Sequence, residues 1–340
     1  KLLLVGNWNI NVYEEAIAEG FRSCGVEVKA FDLLEYFGNN FISKLQKKAK
    51  LGPILNSISR DLENAAFNFD ADVIFLNRPV YVYSSAIERI KSRSDRICIV
   101  SYNNDNPFSD GRSLFWRHYL DCLRYCDVNF FYRPSNVKIA RKKGFNNPRI
   151  LLPYYVKGFH RPMEVGDEFQ SDVVFIGHYE DDGRLELIEN LAEHGIDVKV
   201  YGNRWSEARN SQWIDTESIN PVYGTDYVRL ISGSKVALSF LSSMNNDVYT
   251  RRCFEIPACG TAMVCERTNE LTNIFEPGKE VFFFSDGEEM VSKVRLLLNN
   301  PSTRAEIEKK GREKIINGGF DNISRMKSVL STINKLCKYS

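Results

Sequence analysis

The stretch Asp247-Val-Tyr-Thr-Arg-Arg-Cys-Phe-Glu255-Ile-Pro-Ala-Cys-Gly260-Thr-Ala-Met-Val-Cys-Glu266 holds two acids eight residues apart, with two arginines between them. If Asp247 to Cys259 is largely helical, eight residues rotate about 80° and rise about 12 Å, so both acids can border one cleft. Gly260 suits a left-handed helix cap, and Thr261 to Cys265 then reads as a buried strand. Arg251 and Arg252 suit an anionic ligand such as a diphosphate, because guanidinium gives charge-assisted, often bidentate hydrogen bonds. Glu255 can accept two hydroxyl hydrogen bonds, as a ribose would offer. The plainer reading of the same residues is an amphipathic helix with a solvated charged face.

Acid-x7-Glu followed by a small-residue turn and Gly resembles the donor-binding signature of the GT-B glycosyltransferases. The strings Arg252-Cys-Phe-Glu-Ile-Pro-Ala-Cys-Gly260 and Ile274-Phe-Glu-Pro-Gly-Lys-Glu-Val-Phe-Phe-Phe284 resemble more closely the CgeB-like (spore maturation protein) branch. The resemblance is best over about residues 170–330 and thin before them. It implies two Rossmann-like, doubly wound α/β domains facing each other across a cleft.

Composition agrees with a folded globular chain. The 340 residues have room for two domains of ordinary size. The net charge of +1 gives no global field that points to a nucleic-acid polymer. No run approaches the roughly 20 apolar residues that span a bilayer. The opening Lys1-Leu-Leu-Leu-Val-Gly6 reads as a first strand and is too short for a signal segment. Eight cysteines are scattered along the chain, and reduced thiols in a cytoplasmic protein are the simple expectation. Four isolated histidines make no metal cluster, and no cofactor motif appears.

Short apolar runs alternate with amphipathic ones, the pattern of parallel βαβ units. Expected strands in the first half are Leu2–Val5, Val26–Phe31, Val73–Leu76, Ile97–Ser101, Val128–Tyr132 and Ile150–Tyr154. Val12–Cys24 and Ser84–Lys91 read as helices. A fresh set begins at Asp172-Val-Val-Phe-Ile-Gly177, with strands at Val198–Gly202, Val236–Leu241, Thr261–Cys265 and Val281–Phe284. Helices follow at Gly287–Leu298, Thr303–Ile316 and Asp321–Leu336. The expected domains are 1–156 on the acceptor side and 170–320 on the donor side. The resemblance implies that the segment 321–340 crosses back onto the first.

Open α/β sheets bind ligands beyond the carboxyl ends of their strands. Gly177 ends one strand and is followed by His178-Tyr-Glu-Asp-Asp-Gly183, Arg184 and a helix. A glycine there lets a phosphate approach the backbone. The acids Glu180, Asp181 and Asp182 would repel it, so they are expected to face solvent or cap the helix. The Phe-x-Gly then Arg pattern of the resembled family implies a diphosphate contact for Arg184, against a plain helix-surface arginine. Tyr201-Gly202-Asn203-Arg204-Trp205 resembles the family's Gly-x-x-Trp loop, where the Trp either closes on a base or anchors the loop to the core. Pro221-Val-Tyr223-Gly-Thr-Asp-Tyr227 resembles the segment before a helix whose backbone holds the base.

In the first domain Gly6-Asn7-Trp8-Asn9 follows strand one and is not a dinucleotide fingerprint, which counts against a nicotinamide enzyme. Gly6 and Asn7 are expected to line the cleft. Tyr102-Asn103-Asn104-Asp105-Asn106-Pro107 follows another strand. Asn104 is a lining candidate, and Asp105 either orients an acceptor hydroxyl as a base or belongs to an Asx turn fixed by Pro107. Phe41-Ile-Ser-Lys-Leu-Gln-Lys-Lys-Ala-Lys-Leu51 is basic with spaced apolar residues. It suits either an anionic membrane or a solvated helix.

The resemblance implies a glycosyltransferase that moves a sugar from a nucleoside diphosphate sugar onto a glycan or lipid-linked acceptor, as in bacterial surface polysaccharide synthesis, in the cytoplasm or at the inner face of the membrane. Glu255 is expected to hold the ribose. Arg252, with Arg251 and Arg184, would neutralise the leaving diphosphate without a metal. Asp247 would contact the donor sugar or phosphate. The spacing resembles that of retaining enzymes. A nucleotide-sugar epimerase and a non-catalytic assembly protein on the same fold are the alternatives.

Overall fold

A computed structural model of the chain describes residues 1–8, 13–109 and 113–336. The chain forms two compact units, Lys1–Leu152 with Asn322–Ser340, and Pro153–Asp321.

In unit 1 the strands are β1 (Leu2–Gly6), β2 (Val28–Asp32), β3 (Val73–Asn77), β4 (Cys98–Asn103), β5 (Val128–Phe131) and β6 (Pro148–Ile150). They pair in parallel in the order β2-β1-β3-β4-β5-β6, with Leu2 opposite Val28 on one side and Val73 on the other. Leu2 to Val5 are fully buried, as are Ile74, Phe75 and Leu76. That is why these strands read as unbroken apolar runs: a parallel strand covered on both faces has no polar side.

The helices of unit 1 are α1 (Glu14–Arg22), α2 (Phe41–Ala49), α3 (Pro53–Asn68), α4 (Ser84–Arg93), α5 (Ser113–Cys122) and α6 (Pro134–Lys142). Leu3, Val5, Ile74 and Leu76 share one core with Leu55, Ile58 and Leu62 of α3 and Ile87 and Ile90 of α4. The last helix of the chain (Asn322–Leu336) packs on α1. Asn322 Nδ2 donates to Ala16 O at 2.9 Å. A Cβ on Gly20 would lie 2.6 Å from Met326 Cγ, so only glycine permits this approach.

Unit 2 contains β7 (Ser171–Ile176), β8 (Val198–Tyr201), β9 (Ser234–Ser239), β10 (Ala262–Glu266) and β11 (Phe282–Phe284), parallel in the order β11-β10-β9-β7-β8. Its helices are α7 (Arg184–Glu193), α8 (Gly224–Ser232), α9 (Arg252–Ala258), α10 (Asn269–Ile274), α11 (Gly287–Asn299) and α12 (Pro301–Asn317); the last helix of the chain is therefore α13. Val173, Phe175, Val236, Leu238 and Val264 form the core with Leu185 and Ile188 of α7 and Met290 and Val294 of α11.

Two expectations are corrected. The strand placed at Ile150–Tyr154 is β6, Pro148–Ile150. Pro153 has no N–H for a ladder, and Tyr155 instead forms a bridge to Asp321. The helix expected from Asp247 starts only at Arg252. The preceding backbone is engaged elsewhere: Asp247 N–H donates to Ser242 O at 2.9 Å, Val248 O accepts from Thr268 Oγ1, and Thr250 Oγ1 accepts from Arg252 N–H. The helical spacing of Asp247 and Glu255 therefore does not apply. Gly260 does adopt the left-handed backbone expected of it, with φ +80°. Asn9 to Val12, the start of the expected Val12–Cys24 helix included, lie outside the described residues.

Among the described residues Cys24, Cys122, Cys126, Cys253, Cys259 and Cys265 carry free thiols. Among the described residues no helix is long and apolar enough to cross a membrane.

Candidate functional site

In unit 2 the chain leaves β7 toward β8 on one side and returns at β9 on the other. The carboxyl ends of β7 and β9 are thus the switch point where such sheets bind ligands. Gly177 follows β7 there, and Gly202 follows β8. A Cβ on Gly202 would lie 1.8 Å from Gly177 O, so Gly202 is demanded by backbone packing. Gly177 N–H donates to Tyr201 O at 2.8 Å, and Tyr179 N–H to Asn203 O at 2.9 Å. Trp205 is 1 % exposed, and its indole N–H donates to Gly177 O at 3.0 Å. Of the two readings of this Trp, the core anchor is therefore correct. Tyr223 caps the entry to α8, is exposed, and accepts through its hydroxyl from Asn203 Nδ2 at 2.7 Å.

Arg184 does not present a free fork. It is 3 % exposed. Its Nε and Nη2 bind the Asp182 carboxylate at 2.7 and 2.6 Å, Nη1 donates to His178 O, and Nη2 also reaches Leu241 O at 3.4 Å. The expected diphosphate contact is replaced by a loop clamp. Of the acids, Asp181 is exposed as expected, whereas Glu180 and Asp182 face inward, and Glu180 accepts from Ser242 Oγ at 2.9 Å. An arginine so close to two carboxylates gains more from pairing in the chain than from waiting for a ligand. Asp247, half-buried, follows the turn that Ser242 starts, so its backbone is tied to the same loop.

Glu255 lies in α9 and is 7 % exposed. Its Oε1 accepts from Arg251 Nε at 3.0 Å and stands 3.7 Å from His160 Nε2, while Oε2 accepts from the Tyr227 hydroxyl at 2.6 Å. His160 Nδ1 accepts from Val156 N–H at 2.8 Å, which leaves the ring proton on Nε2, toward the carboxylate. Arg251 also stacks over Tyr154, 5.1 Å from the ring centre. Burial opposes charge on Glu255, but Arg251, His160, the Tyr227 hydroxyl and Arg252 outweigh it and hold the carboxyl below its usual range. Burial, then the Glu255 charge, pushes the Tyr227 phenol well up. Both oxygens of the carboxylate expected to meet two ribose hydroxyls are thus engaged within the protein. Arg252 differs from its neighbour. Its Nε is buried with no hydrogen-bond partner among the described residues. Desolvation and then its charge hold His178 below the usual imidazole range, so Arg252 stands near the end of β7.

Unit 1 gathers a second polar cluster at the carboxyl ends of β1, β3 and β4. Glu14, 1 % exposed, accepts through Oε1 from Asn7 N–H at 2.9 Å and from Asn77 Nδ2 at 2.7 Å. A Cβ on Gly6 would lie 2.6 Å from that same oxygen, which explains the glycine. Arg78, left-handed at φ 48°, reaches Asp105 Oδ2 at 3.4 Å. Asn103 Oδ1 accepts from Asp105 N–H at 2.9 Å, and Asn106 Oδ1 from Phe108 N–H at 3.1 Å, so the Asx turn exists and Asp105 sits within it. Asn104 O accepts from the buried Arg133 at 2.9 Å.

Sequence reasoning missed His160, Tyr227, Glu14, Asn77 and Arg78. A His before Arg-Pro and an Asn-Arg-Pro after a strand were the available signals; neither has a spacing that selects a partner. Among the described residues no group of three or more His, Cys, Asp or Glu is placed to hold a metal ion.

Residues 184–331 match a family model described as glycosyl transferase-like. No curated protein matches the chain in sequence. Solved structures match over its whole length. A glycosyltransferase from Rickettsia africae is 12 % identical at TM-score 0.70, covering 100 % of this chain and 99 % of that one. The Anabaena protein HepE, in complex with UDP-glucose, is 13 % identical at 0.67, covering 98 % and 99 %. Sucrose-phosphate synthase from Thermosynechococcus elongatus is 11 % identical at 0.70, covering 100 % and 99 %. The architecture is that of the GT-B proteins. The likeness in fold extends over the whole chain, and the family match covers residues 184–331 of it.

Proposed function

We propose that this chain is a glycosyltransferase that takes its sugar from a nucleoside diphosphate sugar bound by unit 2 and passes it to a hydroxyl of a glycan or lipid-linked acceptor bound by unit 1. The observation that carries the reading is Arg252, whose buried Nε has no partner among the described residues beside the ordered Arg251–Glu255–Tyr227 set. Charge grows on a diphosphate as the glycosidic bond breaks, and a preorganised guanidinium stabilises it without reorganisation. Glu255 meets a ribose by exchanging the Tyr227 O–H for a ligand O–H, one hydroxyl for another. Gly177, Gly202 and Tyr223 border the nucleotide through their backbone, and Asp247 lies on the donor-sugar side. Gly6, Asn7 and Asn104 serve the acceptor, with Asp105 its base should the configuration invert. The acid-x7-Glu string favours retention, and the CgeB-like strings favour that branch and a role in bacterial surface glycans, with the enzyme in the cytoplasm. The guanidinium chemistry needs no metal, so turnover should persist in EDTA.

Similar structures hold UDP-glucose and UDP, and another is a putative UDP-N-acetylglucosamine 2-epimerase. UDP is therefore the first compound in a thermal-shift series with GDP, dTDP and CMP; a ligand at 100 times its Kd adds about 2.7 kcal/mol of stability. Donor turnover with and without acceptor separates the alternatives. A transferase needs the acceptor, an epimerase releases a free altered sugar, and an assembly protein does neither.

One surface favours a membrane-borne acceptor. Phe41, Ile42 and Leu45 of α2 are 79 %, 66 % and 54 % exposed, among Lys44, Lys47 and Lys48. Leu114 and Phe115 are exposed too, and Lys50 Nζ sits 3.2 Å from the Phe115 ring centre. Apolar side chains rimmed by lysines suit an anionic bilayer. Co-sedimentation with anionic but not neutral vesicles, lost in Phe41→Ser with Ile42→Ser, tests this.

A further inference from the structure

The Cys253 thiol lies against the paired positions of two strands. Ser239 of β9 and Cys265 of β10 are register partners, and partners on adjacent parallel strands point to one face of the sheet. α9 packs on that face, and Cys253 in its first turn brings Sγ to 3.5 Å from Ser239 Oγ. The Cys265 thiol interacts with Cys253 directly and is the strongest influence on it. Both cysteines are free and fully buried, and neither has a role in the proposed transfer. A single buried cysteine acts as a small apolar filler. Two facing thiols are a dithiol, and this one joins the helix that carries Arg252 and Glu255 to the strand beneath it.

The two sulfurs differ in reactivity. Chiefly the Cys265 thiol holds Cys253 below the usual thiol range, against burial, with Thr250, Ser239 and Arg252 adding to it. Burial pushes the Cys265 thiol well up. The thiolate is the nucleophile, so Cys253 attacks and Cys265 resolves. We propose that Cys253 and Cys265 are a redox switch: a peroxide converts them to a disulfide that ties α9 to β10 and displaces Arg252 and Glu255. Only the effect on nucleotide binding rests on the transferase reading. The Cys253 thiolate takes one peroxide oxygen, the O–O bond breaks, and the other oxygen leaves as hydroxide and is protonated to water. The Cys265 sulfur then attacks the Cys253 sulfenic acid. The S–S bond forms, the S–O bond breaks, and the oxygen leaves as water with the Cys265 proton. The dithiol thus gives two electrons and two protons to the peroxide. An S–S bond of about 2 Å is shorter than any contact between unbonded thiols, so the first turn of α9 is drawn toward β10. The oxidant enters past residues 241–251, which form no helix or strand and where Met244 is exposed.

The test uses the full chain, hydrogen peroxide and dithiothreitol. Trypsin releases the peptide Cys253–Arg267, which also holds Cys259. Cleavage after Glu255 then parts Cys253-Phe-Glu255 from the rest, unless a disulfide joins them. The expected result is that peroxide joins the two fragments in the parent chain and in Cys259→Ser, but not in Cys265→Ser, and that dithiothreitol parts them again. UDP affinity should fall about tenfold or more on oxidation and return on reduction, whereas Cys253→Ser keeps its affinity in peroxide. Should a serine variant fail to fold, alanine serves at the same position. Fragments that never join, that join in Cys265→Ser, or that join with no loss of UDP affinity overturn the proposal. A reduced chain that binds no nucleotide removes the transferase reading instead, and the peptide map alone then decides the pair.

Discussion

The Tyr227 hydroxyl donates to Glu255 Oε2 at 2.6 Å, across 28 positions of sequence. That one bond occupies the oxygen on which a ribose hydroxyl is proposed to bind. Tyr227→Phe removes the competing O–H and leaves the carboxylate held by Arg251 and His160. Nucleotide affinity should then rise, by about three- to tenfold, the scale of one neutral hydrogen bond. Calorimetry with UDP checks it; unchanged or weaker binding would make Glu255 an internal anchor only.

Glu255→Ala breaks a buried pair. It leaves the Arg251 guanidinium, 13 % exposed, without its carboxylate. Losing one partner of a buried pair costs about 3 kcal/mol or more. Unit 2 should unfold at lower denaturant, and nucleotide binding should weaken as well. A denaturation midpoint equal to that of the parent chain would contradict the buried arrangement.

Arg252→Ala should lower turnover by roughly 10²–10³, the loss seen when one oxyanion donor is removed. Arg252→Lys should restore only part, because a point charge lacks the planar fork. Arg251→Ala should act mainly on stability, since Arg251 is committed to Glu255. Steady-state rates for the three variants, measured beside their melting temperatures, decide this. Equal small losses of turnover for both alanine variants would place the chemistry elsewhere.

Gly202→Ala should destabilise by about 2 kcal/mol, because the added methyl meets Gly177 O at 1.8 Å and Trp205 Nε1 at 2.9 Å. The methyl forces apart the ends of β7 and β8. A parent-like melting curve for this variant would show that the two loops separate freely.

The His160 imidazole is pushed below its usual range chiefly by burial, with Glu255 opposing. In the unfolded chain it takes up a proton near pH 6.5. As pH falls through that value the unfolded state gains protons that the folded state declines, so stability should drop. Glu255, whose folded pKa is depressed, keeps its contribution until the pH falls below the ordinary carboxyl range. The decline between about pH 7 and 5 should therefore shrink in His160→Gln. Urea midpoints across that range measure it, and parallel profiles for parent and variant would exclude His160 as the source.

Much of the first sheet was legible because its strands are buried on both faces, so Leu2–Val5 and Val73–Leu76 carry no polar interruption. Gly260 was legible for a local reason: a chain reversal after a helix needs φ above zero, and glycine meets that without strain. Arg184 was misjudged because only the folded loop turns the Asp182 carboxylate and His178 O inward onto its guanidinium. Its sequence position shows Asp182 nearby, but Leu241 O is 57 residues away. Asp247 failed for a similar reason, since its N–H finds Ser242 O and the helix cannot begin there.

The sequence by itself determined two α/β halves, the parallel strands and most of their order along the chain. These follow from periodicity and burial, which are properties of neighbouring residues. Tertiary structure alone decided which polar groups are spent and which stay open. Arg184 and Arg251 are neutralised by Asp182 and Glu255, while Arg252 Nε and Glu14 Oε2 have no partner among the described residues. The distinction rests on hydrogen-bond distances of about 3 Å that the folded backbone sets, even for pairs two or four positions apart. Residue type tells what a side chain can bind; only the fold tells whether that capacity is already used.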